Sequence, residues 1–377
     1  LRGMFVPRAN VQEAAVVQGI SVYPADSLAS VVENLAGETA PVPVRGRRDG
    51  SGVSLPESVD FSDVRGQENA KRALEVAAAG GHHALLSGPP GSGKTMLARR
   101  LPAILPQLGF DEALETSMIY SVAGLLPEGT SLVARRPFRA PHHTVSHAGL
   151  VGGGQNPRPG EVSLAHHGVL FLDEMPEFRR SVLEVLRQPM ETGTVTISRL
   201  SSSVTFPANF MLVGAMNPCP CGYLGDGKRL CTCTPEQVHR YRARISGPLM
   251  DRIDLQVEVP RVPYRALEAA EDGRGSREMS ERVQKAREVQ ARRFQETSVR
   301  TNAAMDGPLL RDHAAPDPDG ERVLEKAVER FGLSARAHAR ILKVARTIAD
   351  LEGDPRVRAD HVAEAVQYRS LDLDPYR

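Results

Sequence analysis

The sequence lacks a dominant charge: 47 lysines and arginines stand against 46 aspartates and glutamates, for a formal net charge of +1. No global electrostatic bias names a partner, so any nucleic-acid surface has to be a local patch. An apolar run near the ~20 residues a bilayer-spanning helix needs is also missing, and no membrane partner is expected. So is a scattered cysteine framework. The four cysteines all fall between Cys219 and Cys233, which suits a reducing cytoplasm better than a disulfide-stapled secreted domain. There are no internal repeats, no low-complexity tract and no signal-peptide pattern, although residues 1–36 read like the end of something longer. What remains is ordinary for a soluble globular protein, with 41% hydrophobic and 25% charged residues. A length of 377 residues allows two or three domains with large cores.

Along the chain, Val11–Val17 and Ser27–Leu35 are apolar-periodic; the second is expected to be a short helix with Asp26 available as its cap. Residues 37–58 are rich in Pro, Gly, Ser and Arg and read as a linker. From Phe61 the pattern becomes strand–loop–helix. A helix is expected over Gln67–Ala79, closed by Gly80 and Gly81. The apolar run His83–Ser87 leads through a glycine-rich loop into a helix at Met96–Leu101. Buried strands are expected at Val169–Leu172, Phe210–Ala215 and Leu255–Val259. Unbroken apolar strands separated by helices predict an α/β fold, a parallel sheet covered on both faces. After Pro260 the reading is all-helical: Ala266–Gln295, split near Gly273–Ser276, then Glu321–Arg330, Ala335–Leu351 and Ala359–Tyr368. The expected partition is residues 1–36, a linker at 37–58, a core at 59–260 and a helical C-terminal domain at 261–377.

Gly88, Pro89, Pro90, Gly91, Ser92, Gly93, Lys94 and Thr95 fit G-x-x-x-x-G-K-[ST]. Glycines let the backbone wrap closely enough for successive N–H groups to face phosphate oxygens, and the following helix adds its positive end. Lys94 would reach the β- and γ-phosphates, and Thr95 would hold Mg²⁺ through its hydroxyl. The strand over residues 168–172 ends in Asp173 and Glu174 and is expected to lie beside the phosphate-loop strand. Asp173 would then stand near the metal and Glu174 would polarise the attacking water. Asn217, at the tip of the third strand, would hold that water, though Asn217-Pro218 is also an ordinary turn.

The phosphate loop, the LFLDE strand, the AMNP turn and the run from Ser246 to Asp254 resemble the AAA+ clade of magnesium-chelatase motor subunits and minichromosome-maintenance helicases. RPFRAPHHTVSHAGLVGGG (136–154) and NPCPCGYLGD (217–226) are similar to the bacterial YifB/ComM family of magnesium chelatase-like proteins, which includes branch-migration helicases. The resemblance spans nearly the whole chain. It implies that residues 1–36 are the tail of a Lon-protease-like domain, that 59–260 is an AAA+ ATPase core and that 261–377 is its lid. It implies that Arg252 is an arginine finger acting on a neighbouring subunit's nucleotide, that Arg336 is the second sensor arginine, with Arg340 a weaker candidate, and that the assembly is a homo-oligomer, a hexamer. The alternation over Thr194–Phe206 reads as a β-hairpin with Arg199 near its tip; in the helicase relatives a similar hairpin enters the pore, where a basic residue contacts DNA phosphates without reading sequence. The basic loop with Phe138 and Arg139 reads as a second pore loop. His143 and His147 would share a metal only in a helix, which Pro141 disfavours. Cys219, Cys221, Cys231 and Cys233, in the pattern C-x-C-x₉-C-x-C, are candidate ligands for structural zinc or else free thiols. The function expected is an ATP-hydrolysing ring motor on branched or single-stranded DNA, a helicase or branch-migration factor in recombination or natural transformation. The alternatives are a magnesium-chelatase-like motor driving metal insertion or protein remodelling, and a non-hydrolysing scaffold.

Overall fold

A computed structural model describes residues 2–17, 19–38, 40–44, 59–126, 132–154, 156–198, 203–263 and 275–369. Most of the linker read at 37–58, and the hairpin tip with Arg199, lie outside them. The chain forms two compact units: Leu1–Glu57 with Gln107–Arg136, and Ser58–Pro106 with Pro137–Arg377.

In the first unit, β1 (Gly3–Pro7) pairs in parallel with β2 (Ser21–Ala25) over a small core of Val6, Val11 and Val22. Helix α1 spans Leu28–Ala36. Its cap is Ser27, not Asp26. The extended Ser27 accepts the Ser30 N–H at 3.2 Å and its own N–H bonds the Ser30 hydroxyl. Asp26 lies one residue too early for this geometry and instead takes both carboxylate oxygens to Arg8, at 2.6 and 2.7 Å. The same unit contains α2 (Phe110–Ala123), begun by Glu112, whose carboxylate holds both the Gly109 N–H (3.0 Å) and Arg136 (2.7 Å).

The second unit is built on a five-stranded sheet. In chain order its strands are β3 (Ala84–Ser87), β4 (Phe138–Arg139), β5 (Val169–Leu172), then, after the hairpin β6 (Thr194–Ser198) and β7 (Ser203–Pro207), β8 (Met211–Met216) and β9 (Leu255–Glu258). Their spatial order is β9-β3-β8-β5-β4, all parallel. β3, β5 and β8 are buried at every residue, as expected for strands covered on both faces. The strand ending in Asp173 does not adjoin the phosphate-loop strand. β8 lies between them, pairing Val213 with Ala84 on one side and Met211 with Val169 on the other. Burial pattern marks a strand as central; it carries no information on which central strand is its neighbour.

Helix α3 (Glu68–Gly80) is buried along most of its length. Its C-terminal carbonyls are met by the C-terminal helices. Arg287 and Gln290, on the helix Ser276–Arg293, donate to Ala78 O and Ala79 O at 2.9 and 3.0 Å, satisfying groups a helix end leaves open. The longer of the unit's other described helices are α4 (Lys94–Arg100), α5 (Pro235–Arg242), α6 (Ser276–Arg293), α7 (Gly307–Ala314), α8 (Pro318–Phe331), α9 (Ala335–Glu352) and α10 (Ala359–Gln367). The helix read from Ala266 is described only from Ser276. His143 lies outside any helix, since the short one here begins at His147. Past α10 the chain returns to the sheet. The Tyr368 carbonyl accepts the Gln256 N–H at 2.7 Å, and buried Arg369 donates to Ile253 O at 2.6 Å.

A buried polar cluster ties the sheet to α9. His82 bridges Asp254 (3.2 Å) and Thr347 (2.8 Å), and Arg340 pairs with the other Asp254 oxygen. Burial disfavours the Asp254 carboxylate, but Arg340 and His82 overcome this and hold its pKa well below the usual carboxylate range. A free carboxylate titrates near ~4. The cluster's stabilisation is therefore present above that pH and is lost as pH falls through the lower, folded value. Asp254→Ala is expected to destabilise the fold by about 3–5 kcal/mol, because it strands a partly buried guanidinium. Thermal midpoints followed into acid should fall more steeply for the wild type than for Asp254→Asn.

Candidate nucleotide site

β3 delivers the chain to the glycine loop at the C-terminal edge of the sheet. At Gly88 a Cβ would sit 2.1 Å from the Val259 carbonyl oxygen, so no side chain fits. Gly91 and Gly93 take φ of 76° and 95°, a region open to glycine at little cost. α4 then begins at Lys94. The Lys94 ammonium donates to the carbonyls of Gly88 (2.7 Å) and Pro89 (3.0 Å) and to Asn217 Oδ1 (3.2 Å). Burial lowers its pKa, and the nearby Asp173 and Glu174 oppose the shift. The Thr95 hydroxyl donates to Asp173 Oδ2 at 2.7 Å. Asp173 Oδ1 accepts the Glu174 N–H at 3.0 Å, and Glu174 is held at φ 50°. A left-handed backbone at a non-glycine residue is costly and persists where the surroundings impose it.

Lys94, Thr95, Asp173 and Asn217 thus meet directly, with Glu174 adjoining through Asp173. The arrangement fits a magnesium triphosphate. The ammonium sits on neutral acceptors, a hydroxyl and a carboxylate stand together at the helix start, and the buried Ser92 hydroxyl has no hydrogen-bond partner among the described residues. One contributor carried no signal in the sequence. Gln67, itself at φ 60°, donates its side-chain amide to Ser92 O (3.1 Å) and Pro260 O (2.5 Å), bracing the loop from below.

The other expected site residues lie apart. Arg252 is buried and bonds Pro248 O and Glu191 within its own protomer. Arg336 is exposed in the first turn of α9, without an ion pair among the described residues, whereas Arg340 is committed to Asp254. Arg139 makes a bidentate pair with Glu161 at 2.7 and 2.8 Å, so its charge is largely answered in cis. Cys219, Cys221, Cys231 and Cys233 converge in one cluster.

The family model described as magnesium chelatase, subunit ChlI, matches residues 60–267, and that of the ChlI C-terminal region matches 273–369. The competence protein ComM of Haemophilus influenzae is 45% identical over 376 residues, covering 98% of this chain and 72% of that protein. The chain belongs to the YifB/ComM family of magnesium chelatase-like AAA+ proteins. The uncharacterized protein YifB of Escherichia coli, in the same family, is 44% identical over 374 residues, covering 98% of this chain and 72% of its own length. The 38 kDa magnesium-chelatase subunit of Rhodobacter capsulatus is a more distant relative of the YifB/ComM chain, 28% identical over 187 residues, 45% of this chain and 53% of that subunit. Among the described residues, no helix is long and apolar enough to cross a membrane.

Proposed function

We propose that this YifB/ComM-family chain is an ATP-hydrolysing protomer of a homo-oligomeric ring, a hexamer, that moves branched or single-stranded DNA. The observation that carries the ATPase reading is the meeting of Lys94 with Asn217 and of Thr95 with Asp173 at the end of the phosphate loop. Thr95 and Asp173 would hold Mg²⁺, whose charge would offset that of the phosphates. Lys94 binds and orients the triphosphate, Asn217 positions water, and Glu174 accepts its proton. Arg252 serves the neighbour's nucleotide and Arg336 senses its own.

Two observations support DNA as the client. One is the likeness to a relative named a competence protein, which favours a role in natural transformation. The other is the β6–β7 hairpin. It buries Val195, Ile197 and Phe206 and turns outward the hydroxyl pairs Thr196–Thr205 (2.9 Å) and Ser198–Ser203 (3.3 Å). Such hydroxyls bond phosphate without reading sequence, and Arg199 follows directly in the chain. The magnesium-chelatase likeness supports the alternative, a motor that remodels a protein or drives metal insertion.

ATP turnover with and without a Holliday-type junction separates the two. Junction DNA is expected to stimulate turnover, Lys94→Ala to abolish it, and Arg199→Ala to remove the stimulation alone. Junction affinity should fall at least about tenfold between ~50 and ~200 mM salt. Turnover indifferent to DNA at low salt would remove the DNA client.

A further inference from the structure

We propose that Cys219, Cys221, Cys231 and Cys233 bind one structural zinc ion, and that this metal stiffens a loop whose backbone buttresses the phosphate loop at Pro90. The loop runs from the end of β8 to the start of α5. It has almost no core of its own. Gly225, Gly227, Lys228, Arg229 and Leu230 are exposed, Leu230 by 92%. A segment of this composition needs a cross-link to keep one shape.

The sulfurs supply the geometry for one. All four lie within 4.8 Å of one another, with separations of 3.4 Å for Cys219–Cys221, 3.7 Å for Cys219–Cys231 and 3.6 Å for Cys221–Cys231. A tetrahedron with Zn–S bonds of about 2.3 Å has edges of about 3.8 Å. A disulfide would need about 2.05 Å, and a multi-iron cluster would spread its thiolates much further apart. Backbone N–H groups point at the sulfurs, Cys221 N to Cys233 Sγ and Cys233 N to Cys231 Sγ, each at 3.4 Å. Such donors support thiolates bound to a metal. Four protein ligands fill a tetrahedral zinc, leaving no open position, so the role is structural.

The loop is placed to pass that rigidity on. Cys219 follows Asn217 by two residues. At Gly222, φ 84°, a Cβ would lie 2.6 Å from Pro90 Cδ and 2.8 Å from its Cγ. The loop backbone therefore rests on the phosphate loop with no room for a side chain. At its far end the buried Asp226 carboxylate meets Arg261, just past β9, at 2.5 Å, and Arg261 and Arg229 both lie over the Tyr223 ring. The zinc loop is thus anchored at Asn217, Pro90 and Arg261. This bracing role rests on the nucleotide reading of the site; the metal itself does not.

The test uses the full chain, purified without a polyhistidine tag. Metal is counted by mass spectrometry and ATP affinity is measured with a fluorescent analogue. One zinc per wild-type chain is expected. The Cys231→Ser/Cys233→Ser double variant should lose it, stay folded by circular dichroism and bind the analogue at least about tenfold more weakly. Gly222→Ala should keep its zinc and still bind more weakly, because it disturbs only the contact with Pro90. Wild-type protein with no zinc, with iron instead, or with four freely titrating thiols overturns the metal site. Zinc-bearing wild type whose cysteine and Gly222 variants bind ATP normally overturns the brace. Wild type that carries zinc but binds no ATP overturns the nucleotide reading, and the brace with it, while leaving the zinc count standing.

Discussion

Glu174→Gln is expected to leave ATP bound and to slow its turnover by about 10³-fold, the range general-base catalysis supplies. The carboxylate is the only feature removed, and the amide keeps its shape. The Asp173–Glu174 N–H bond and the left-handed backbone at Glu174 involve the main chain and do not depend on the side-chain charge. Binding should therefore survive, and the variant should accumulate as an ATP-loaded state. Lys94→Ala is expected to fail earlier, at binding. It removes a buried cation that no side chain replaces, together with its bond to Asn217. Single-turnover hydrolysis and equilibrium binding, measured on both variants, distinguish the two failures. If Glu174→Gln hydrolyses at the wild-type rate, Glu174 is not the base, and its backbone conformation serves only to present Asp173 to Thr95.

The parts of this site that could be read from the sequence are those in which local chemistry forces residue type. A phosphate loop must place glycine where a Cβ would strike Val259 O, as at Gly88, and must start a helix with a lysine and a hydroxyl. Buried parallel strands announce themselves as unbroken apolar runs, so Val169–Leu172 was legible residue for residue. The β6–β7 hairpin was visible as strict alternation, which the structure resolves into buried Val195 and Ile197 against exposed Thr196 and Ser198. What failed was non-local. The order that inserts β8 between β3 and β5 depends on packing across the whole sheet. Gln67 braces the loop from a left-handed backbone, φ 60°, through carbonyls distant in the chain, Ser92 and Pro260. α2 shows no clean apolar stripe: Phe110, Met118 and Val122 are exposed, while Thr116 and Ser117 are buried beside Ala113 and Ile119. β1 and β2 are short, and only Val6 and Val22 among their residues are buried, too few to make a pattern.

Arg252→Ala is expected to reduce turnover by about 10³-fold or more, the contribution of an arginine finger. The more discriminating expectation concerns mixtures. If Arg252 acts in trans, an Arg252→Ala protomer still has a complete phosphate site, which a Glu174→Gln neighbour can serve with its own arginine. An equimolar mixture of the two inactive variants should then turn over ATP faster than either alone. The structure adds a condition. Within the protomer Arg252 is 8% exposed and holds Pro248 O and Glu191, so reaching a neighbour's phosphate means exchanging Glu191 for the nucleotide. Glu191 is half exposed, and solvent screening makes that exchange inexpensive. Glu191→Gln should therefore raise turnover in the assembled protein while leaving ATP affinity at the Lys94 site unchanged. A mixture that recovers nothing would confine Arg252 to its own protomer, as the cation that joins Pro248 to Glu191.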